Sequence, residues 1–359
     1  HQRHAHVRPD RDHALQSGVP SDLMQLQAGA VLADRYRIVE RIGSGGMGEV
    51  YRGYDHGLER EVAIKVLAAH SDDVNRRFLA EAQAMARLNH PNIVAVYDVG
   101  MDAHVSYIIM ECVHGATIRD IDRSSCTIAG AIDLVLQVVG ALAFAHEHDV
   151  VHRDIKPGNV IVGEDGVVKV TDFGLARRMS DVGNLSQSSE IVGTVAYLPP
   201  ERFMGKTGDR SSDLYSVGVL IYELVTGSLP FAESSEDLVS TMIAHVNEVP
   251  RPPRLLNPAT PPELDRIVVR LLEAEPQRRF SDAPALRAAL EAARERGGPG
   301  WSTTLPPATS SQSALSRSAY AEALALMERG IHAGRGGDAD AAQRSYREAI
   351  DIVTQERKR

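Results

Sequence analysis

The residues best suited to chemistry lie in one short stretch of the sequence, from Val151 to Glu201. Asp154 stands two residues before Lys156 and five before Asn159. A second carboxylate, Asp172, follows in the same stretch. Carboxylate and amide oxygens bind hard divalent cations, and a carboxylate within reach of a hydroxyl group can accept its proton. The stretch therefore predicts an acidic group next to two metal-coordinating side chains.

Two short runs of β-branched residues flank these groups, at Val160 to Val162 and at Val167 to Val170. Valine favours extended structure, so both runs are predicted to be strands of a small β-ribbon. Loops carried on a rigid scaffold are the usual place for catalytic side chains. We therefore expect Asp154, Asn159 and Asp172 to lie on loops at the ends of this ribbon.

The stretch reads VHRDIKPGNVIV, then VVKVTDFGLA, and closes with GTVAYLPPE. These segments resemble the catalytic loop, the metal-binding DFG and the activation segment of eukaryotic-like (Hanks-type) bacterial serine/threonine protein kinases, with PPE in place of the usual APE. The resemblance implies that Asp154 accepts the proton of the substrate hydroxyl and that Lys156 neutralises the γ-phosphoryl group. It also implies that Asn159 and Asp172 hold Mg²⁺, with Mn²⁺ as a second candidate, on ATP.

A glycine-rich segment, GSGGMG, lies between two predicted strands, Tyr36 to Ile42 and Glu49 to Tyr54. The same glycine spacing opens a helix in dinucleotide-binding folds, but here a strand follows, which excludes that alternative. Glycines let the hairpin backbone close over phosphate groups. By resemblance, the ATP-binding residues are Ile42, Gly43, Ser44, Gly45, Gly46, Met47, Gly48, Val50, Ala63, Lys65, Met110, Glu111, Val113 and Ile161.

Two further residues join the catalytic set by resemblance. Lys65 ends a VAIK strand and resembles the lysine that holds the α- and β-phosphates, with a surface lysine as the alternative. Glu81 lies in a predicted helix from Ser71 to Leu88, where the family places the glutamate that pairs with this lysine; an exposed helix glutamate is the alternative. Met110 resembles the gatekeeper. Cys112 departs from the aromatic residue commoner in this hinge and is interpreted as a small apolar filler.

Four residues receive structural roles from the resemblance: Thr194, Glu201, Asp213 and Arg279. Lys156 followed by Thr194 matches the serine/threonine-specific pattern. Arg279 is expected to form a salt bridge with Glu201. Asp213 is expected to tie down the backbone of the catalytic loop, although an aspartate here could equally be a helix N-cap.

The loop from Ser180 to Ile191 contains two serines, Ser186 and Ser188, where related kinases carry activating phosphosites. Arg153 immediately precedes Asp154 and could bind such a phosphate. A phosphoserine adds roughly −1.5 to −2 of charge and supports charge-assisted hydrogen bonds that order a loop. The interpretation is regulation by autophosphorylation at these serines, and a polar loop without that role is the alternative.

Composition limits the other classes of function. Lys and Arg total 39 against 48 Asp and Glu, and the formal net charge of −9 argues against a nucleic-acid partner. Two cysteines exclude a disulfide framework and predict a reducing, cytoplasmic location. The longest apolar stretch, Ile128 to Ala145, is interrupted by Asp133 and Gln137. It is therefore predicted to be a buried helix and not a membrane span.

The predicted fold class is α+β: a two-lobed protein kinase fold with a β-rich N-lobe and a helical C-lobe, followed by a helical hairpin. The predicted kinase domain covers residues 35–296, with the N-lobe at 35–110 and the C-lobe at 115–296. Residues 297–317, rich in Gly, Pro, Ser and Thr, are predicted to be a flexible linker.

Residues 1–34 are predicted to be a mobile tail, whose histidines at 1, 4, 6 and 13 could bind metal, although a solvated leader is favoured. Residues 318–359 are predicted to be helical. They resemble the start of a tetratricopeptide-like array that would bind a protein partner, and a plain helical hairpin is the alternative.

These features predict a kinase that phosphorylates serine and threonine hydroxyl groups of proteins. One alternative is a pseudokinase scaffold that acts through its helical C-terminal segment. The presence of Lys65, Glu81, Asp154, Asn159 and Asp172 argues against a scaffold, which would not need all five. The other alternative is a small-molecule phosphotransferase, and the long activation segment with its PPE argues against that class.

Overall fold

The computed structural model describes residues 26–45, 48–67, 79–80, 82–102, 105–173, 195–204, 206–232 and 238–308, and six positions between 326 and 348. These residues form an N-terminal β-sheet lobe and a C-terminal helical lobe. The predicted α+β, two-lobed fold is confirmed.

The N-lobe is a six-stranded antiparallel sheet with strand order β1-β2-β3-β4-β6-β5. Its strands are β1 (Val31–Leu32), β2 (Tyr36–Gly45), β3 (Gly48–Asp55), β4 (Arg60–Leu67), β5 (Val96–Asp102) and β6 (Val105–Glu111). The glycine-rich segment joins β2 to β3, and both strands extend further into it than the predicted Tyr36 to Ile42 and Glu49 to Tyr54.

Alternation along β4 decides which side chains reach the cleft between the lobes. Val62 and Ile64 are buried in the N-lobe core. Ala63, which lies between them, packs on the other side of the sheet with Met110. Successive side chains of a strand point to opposite faces, so Lys65 shares the cleft face with Ala63.

A second, three-stranded sheet lies at the start of the C-lobe and consists of β7 (Gly115–Thr117), β8 (Val160–Gly163) and β9 (Val168–Val170). Strands β8 and β9 form the ribbon predicted from the valine runs, with Val160 opposite Val170. The catalytic loop enters this ribbon before β8 and the DFG segment leaves it after β9.

The C-lobe contains a long central helix surrounded by shorter ones. The helices are α1 (Ile128–Glu147), α2 (Pro200–Phe203), α3 (Arg210–Thr226), α4 (Leu238–Asn247), α5 (Pro253–Leu256), α6 (Pro262–Leu271) and α7 (Ala283–Arg296). Helix α1 is long and apolar enough to cross a membrane by length and composition, and among the described residues it is the one such helix. Ten of its residues are buried in the C-lobe core, as the sequence predicts for this stretch.

Helix α3 is buried along nearly its whole length and has well-formed ends. Its N-cap is Asp209, whose side chain accepts hydrogen bonds from the N–H groups of Ser211 and Ser212. It ends at Gly227, which adopts a left-handed φ of 77°. A Cβ at Gly227 would lie 2.2 Å from the carbonyl oxygen of Pro307, so this close approach requires glycine.

The predicted mobile tail, residues 1–34, is wrong for its last part. Val31 and Leu32 pair with β2 as the edge strand of the sheet. The N–H of Gly29 donates to the carbonyl oxygen of Ile38 at 2.9 Å. These backbone hydrogen bonds make residues 26–34 part of the N-lobe, while residues 1–25 lie outside the described part of the chain.

The predicted flexible linker, residues 297–317, is wrong for residues 297–308, which we call the C-terminal strap. Trp301 and Leu305 are buried against the C-lobe. The N–H of Ile128 donates to Thr303 O and the N–H of Leu305 donates to Cys126 O, both at 2.8 Å. Most residues of the segment are small or polar, so its composition did not indicate that Trp301 and Leu305 would be buried.

Of the segment predicted to be helical, residues 318–359, the structure describes only a few positions, which are helical. The tetratricopeptide-like assignment therefore stays a prediction, as does the plain hairpin.

Candidate functional site

The catalytic loop lies directly over the buried carboxylate of Asp213 on α3. This carboxylate accepts hydrogen bonds from the N–H of His152 at 2.9 Å and the N–H of Arg153 at 2.7 Å, and it lies 2.8 Å from His146 Nε2. Arg153 has a φ of 66°, a conformation that is costly for a residue with a Cβ. The hydrogen bond from the N–H of Arg153 to the carboxylate of Asp213 helps to offset the free-energy cost of this backbone conformation. Because the N-cap of α3 is Asp209, the N-cap interpretation of Asp213 is wrong.

His152 links the catalytic loop to the DFG segment as a neutral, buried imidazole. Its Nδ1 accepts a hydrogen bond from the N–H of Asp154 at 3.2 Å, and its Nε2 lies 2.9 Å from the carbonyl oxygen of Thr171. A carbonyl oxygen can only accept, so the proton is on Nε2. Burial lowers the pKa of His152, which keeps the ring neutral. The ring packs against Phe173, with 4.5 Å between ring centroids.

Three of the predicted site residues meet at the carboxylate of Asp154. Lys156 Nζ lies 2.8 Å from Asp154 Oδ2. Asn159 Nδ2 donates to the same oxygen at 2.9 Å and to the backbone oxygen of Asp154 at 2.8 Å. Both side chains of the ion pair are mostly buried yet reach solvent. The loop therefore presents a positioned carboxylate beside an ammonium group.

The second cluster joins the two lobes. Lys65 Nζ on β4 lies 2.6 Å from Asp172 Oδ1, just after β9. Burial raises the pKa of Asp172, but the charge and hydrogen bond of Lys65 outweigh burial and hold it below its ordinary value. Asp172 also has a φ of 63°, which marks a strained backbone at the cleft. The predicted partner of Lys65, Glu81, lies outside the described residues.

The two predicted metal ligands offer oxygen atoms that suit a hard divalent cation. Asn159 uses its amide nitrogen toward Asp154, so its amide oxygen is the atom left for a cation. Asp172 uses Oδ1 toward Lys65, and Oδ2 completes the donor set. Carboxylate and amide oxygens are the ligands that Mg²⁺ and Mn²⁺ prefer. The residues present therefore fit such a cation.

An apolar wall lies at the back of the cleft, where the adenine ring is predicted to bind. Ala63 and Met110 are buried together, and Val50, Cys112 and Val113 pack against them partly buried. Burial raises the pKa of the Cys112 thiol, so without a bound cation the thiol is protonated at neutral pH.

Glu111 begins the hinge and is held at both its backbone and its side chain. Its N–H donates to the carbonyl oxygen of Ala95 at 2.8 Å, and its carboxylate lies 2.8 Å from Lys169 Nζ. Because the N–H of Glu111 is already used, the hydrogen bond to adenine that is expected from its backbone would be made by its carbonyl group. Ile161 lies opposite Lys169 in the β8–β9 ribbon.

The glycine-rich hairpin, predicted to cover the phosphates, pairs β2 with β3 with register shifts between Ile38 and Glu40 and between Arg41 and Gly43. Gly48 has a φ of 131°, and a Cβ there would lie 2.0 Å from the carbonyl oxygen of Val66, so only glycine fits. Gly46 and Met47 lie outside the described residues. The side chain of Ile42 is about half exposed. The register of the hairpin pairs Gly43 with Val50, Ser44 with Glu49, and Gly45 with Gly48.

The PPE segment is fixed to the C-lobe by a buried ion pair. Arg279 Nη1 and Nη2 donate to the two carboxylate oxygens of Glu201, each at 2.9 Å, and Ser212 Oγ donates to Glu201 Oε1 at 2.7 Å. Burial raises the pKa of Glu201, but the hydrogen bonds and charge of Arg279 outweigh burial and hold it below its ordinary value. This is the pairing expected from the sequence.

Six residues of the predicted set lie outside the described residues: Gly46, Met47, Glu81, Ser186, Ser188 and Thr194. Two residues that position the site, His146 and His152, were not singled out from the sequence. His152 could have been found, because it lies inside the quoted VHRD segment. His146 gave no local signal, since its partner Asp213 is 67 positions away.

Comparison with known proteins agrees with this geometry. The family model described as protein kinase domain matches residues 36–291. The chain is 42% identical over 278 residues to "Serine/threonine-protein kinase PknB" of Mycolicibacterium smegmatis, covering 75% of this chain and 44% of that protein. It is 40% identical over 263 residues to "Probable serine/threonine-protein kinase PknB" of Lactococcus lactis, covering 72% of this chain and 42% of that protein. The chain thus spans less than half the length of these relatives.

Among solved structures, the crystal structure of the Mycobacterium tuberculosis PknI kinase domain superposes with a TM-score of 0.59 at 28% sequence identity. The match covers 75% of this chain and 99% of that chain. A family model that matches most of the chain, together with this fold, settles the family. The chain belongs to the protein kinase domain family.

Proposed function

We propose that this chain is a serine/threonine protein kinase that transfers the γ-phosphoryl group of ATP to serine and threonine hydroxyl groups of proteins. The observation that carries the proposal is the convergence of two charged clusters at one cleft. One is Asp154 with Lys156 and Asn159, and the other is Lys65 with Asp172. Membership of the family and the names of its relatives support the same activity.

Asp154 is assigned to the substrate hydroxyl. Among the described residues, both Lys156 and Asn159 use its Oδ2, so we assign proton acceptance to Oδ1. Lys156 lies beside this carboxylate and would neutralise charge on the transferred phosphoryl group. The hydrogen bond from Asn159 fixes the carboxylate, so little reorganisation is needed as the proton moves.

Lys65 is assigned to the α- and β-phosphates, and Asn159 and Asp172 to Mg²⁺, with Mn²⁺ as the alternative cation. When bound, such a cation neutralises negative charge on the β- and γ-phosphate oxygens. Lys65 lies 2.6 Å from Asp172, so the group that would hold the phosphates and the group that would hold the cation are adjacent. The backbone of Gly43, Gly45 and the rest of the hairpin would cover the phosphates.

The test compares turnover in three variants supplied with ATP, Mg²⁺ and a generic basic protein. Asp154→Asn removes the proton acceptor and Asp172→Asn removes a metal ligand, so each should lower the rate by about 10²-fold or more. Asp165→Asn, an exposed carboxylate in the β8–β9 turn, is the matched control and should keep the parent rate. A parent that binds ATP but turns over no faster than Asp154→Asn would instead support the pseudokinase scaffold.

Regulation by the activation loop belongs to the same proposal. The buried Nε of Arg153 has no hydrogen-bond partner among the described residues, although its backbone is held by Asp213. A buried guanidinium nitrogen without a partner is costly, and phosphate is a good partner for it. We assign Ser186 and Ser188 as the autophosphorylated residues.

Mass spectrometry of the parent and of Asp154→Asn tests this assignment. Phosphate at Ser186 or Ser188 should occur only in the active form. If the double variant Ser186→Ala with Ser188→Ala keeps the parent rate on an external substrate, the loop is not a switch.

The remaining parts of the proposal concern partners and location. Protein substrates follow from the assigned reaction, and a second protein partner is assigned to the helical segment at 318–359. The net charge of −9 supports the exclusion of nucleic acid. A cytoplasmic location is proposed from the reaction, which uses ATP.

A further inference from the structure

Three metal-binding side chains of different chemistry lie together at the outer edge of the hinge. Glu61 is on β4, while Cys112 and His114 follow β6 directly. Their carboxylate, thiol and imidazole ligand atoms all lie within 4.8 Å of one another. In the part of the chain that the structure describes, no other set of three His, Cys, Asp or Glu residues meets this condition.

The fold itself brings these residues together. Val62 lies opposite Glu111 in the pairing of β4 with β6, so Glu61 lies beside the residues that follow Glu111. Cys112 and His114 are two positions apart, a spacing that lets both side chains point to the same side of an extended segment. The N–H of Glu164 donates to His114 O at 3.1 Å and holds the segment in place.

The carboxylate of Glu61 is already oriented toward the imidazole. Its Oε1 accepts a hydrogen bond from Arg52 Nη1 at 2.8 Å, while its Oε2 lies 3.0 Å from His114 Nε2. Hydrogen bonds of this kind to a carboxylate ligand are typical of protein metal sites. An exposed Glu–His pair alone adds little to stability, and it does not account for the thiol on the same side.

We propose that Glu61, Cys112 and His114 form a site for a thiophilic divalent cation, with Zn²⁺ as the best match, and that the Cys112 thiol releases its proton to solvent as it binds. Sulfur and imidazole ligands favour Zn²⁺ over Mg²⁺, so the Mg²⁺ supplied with ATP does not compete. Zinc–ligand bonds of about 2.0–2.3 Å place tetrahedral ligands about 3.3–3.8 Å apart. His114 is 60% exposed and Glu61 is 41% exposed, so small rotations of these two side chains close the remaining gap. Three protein ligands leave the fourth position to water.

The site adjoins the proposed adenine pocket. Cys112 lies between Glu111 and Val113, and its side chain packs with Ala63 and Met110. A cation held by Cys112 would therefore lie next to residues that line that pocket. An effect of the cation on nucleotide binding would rest on the proposed function. The cation site itself does not depend on that function, so cation binding is tested without nucleotide.

The test uses Co²⁺ as a spectroscopic stand-in for Zn²⁺, added to the metal-free full chain without ATP. The background carries alanine at positions 1, 4, 6 and 13, which removes the histidines of the N-terminal segment. The chain has two cysteines, so a thiolate-to-cobalt charge-transfer band must come from Cys112 or Cys126. We expect a band that saturates at one equivalent and is reversed by Zn²⁺.

Cys112→Ser should abolish the band, while Cys126→Ser, a change at the other partly buried cysteine, should leave it intact. Glu61→Gln and His114→Ala, both at exposed positions, should weaken Co²⁺ binding by about tenfold or more. If Cys112→Ser fails to fold, these two variants carry the test. The proposal is overturned if the parent shows no band, if the band survives Cys112→Ser, or if both exposed variants bind Co²⁺ as tightly as the parent.

Discussion

Two sets of charged side chains differ in how they meet solvent. In the C-lobe, Arg279 is fully buried against Glu201, which is 7% exposed, and Asp213 is fully buried. At the cleft, Lys65 is only 7% exposed, but its partner Asp172 is 27% exposed. The first set is closed, because every partner is part of the protein. The second is open, because solvent, and by our proposal phosphate, can replace a partner.

The difference teaches which charges serve the fold and which serve chemistry. The guanidinium of Arg279 donates to Glu201 and also to the backbone oxygens of Glu273, Ala274 and Ser211. Such full satisfaction is what a buried ion needs, since an uncompensated charge in the interior is costly. Among the described residues, the Nζ of Lys65 has the carboxylate of Asp172 as its partner and no comparable set of backbone acceptors. The two sets should therefore differ in how far the loss of a charge lowers the free energy of unfolding.

The largest loss of stability is expected from Arg279→Met. The change leaves the buried carboxylate of Glu201 without its cation, which should lower the free energy of unfolding by about 3–5 kcal/mol. Urea unfolding at pH 7 measures it. The double variant Glu201→Gln with Arg279→Met is the control, and it should recover part of the loss because no buried charge remains. A double variant as unstable as Arg279→Met would mean that lost packing, and not charge, dominates.

The same pair has a definite pH dependence. The folded pKa of Glu201 is below its ordinary value of 4.5, so the pair stabilises the parent above that pH, and this contribution is lost as pH falls through the folded pKa. In Arg279→Met the unpaired carboxyl should have a raised pKa. That variant, unlike the parent, should therefore become more stable between pH 7 and pH 5. An equal response of both proteins over this range would contradict the assignment.

A loss of about 3 kcal/mol is expected from Trp301→Ala in the C-terminal strap. Trp301 is 3% exposed and packs under Arg294, whose guanidinium lies 5.3 Å from the ring centroid. Trp301→Phe is the control and should lose less, because most of the ring volume stays. Urea unfolding of both variants checks this, and an unchanged stability of Trp301→Ala would return the strap to the flexible linker first predicted.

Asp213→Asn should lower the free energy of unfolding by about 1–3 kcal/mol. The amide has the shape of the carboxylate, but it lacks the negative charge that strengthens the hydrogen bonds from two backbone N–H groups. The strained backbone of Arg153 then loses its support, so turnover should fall as well. Asp209→Asn, at the N-cap of the same helix, is the matched control, since asparagine caps as well as aspartate. If both variants lose turnover equally, Asp213 acts only through the stability of α3.

Elements encoded by local patterns could be predicted from the sequence, whereas contacts between distant residues could not. The β8–β9 ribbon and α1 were predictable, because local patterns of valine and of apolar residues encode them. The pairing of Arg279 with Glu201 was expected only through resemblance, since the two residues are 78 positions apart. A local sequence pattern does not indicate which residues far apart in the sequence will be in contact.

The errors at the two domain ends have a physical cause. Residues 297–308 are rich in Gly, Pro, Ser and Thr, and residues 26–34 are rich in alanine without a helix or strand period, so neither composition indicates an ordered segment. Both are nevertheless held by backbone hydrogen bonds to the domain, such as Gly29 N–H to Ile38 O and Leu305 N–H to Cys126 O. Backbone groups are the same in every residue, so composition does not reveal which segment finds partners for them.

The smallest effect on stability is expected from Lys65→Met, the sharpest test of the open set. Methionine keeps most of the apolar stem, and the carboxylate left behind on Asp172 can be solvated because 27% of that side chain is exposed. The free energy of unfolding should therefore fall by less than about 1 kcal/mol, well below the loss for a closed buried pair. Turnover should nevertheless fall by about 10²-fold or more, because the lysine is assigned to the phosphates. Lys206→Met, at an exposed lysine of the C-lobe, is the control for removing one positive charge, and it should change neither quantity. If Lys65→Met instead lowers the free energy of unfolding by several kcal/mol, Lys65 stabilises the fold as Arg279 does. The distinction between the closed set and the open set would then be wrong for Lys65.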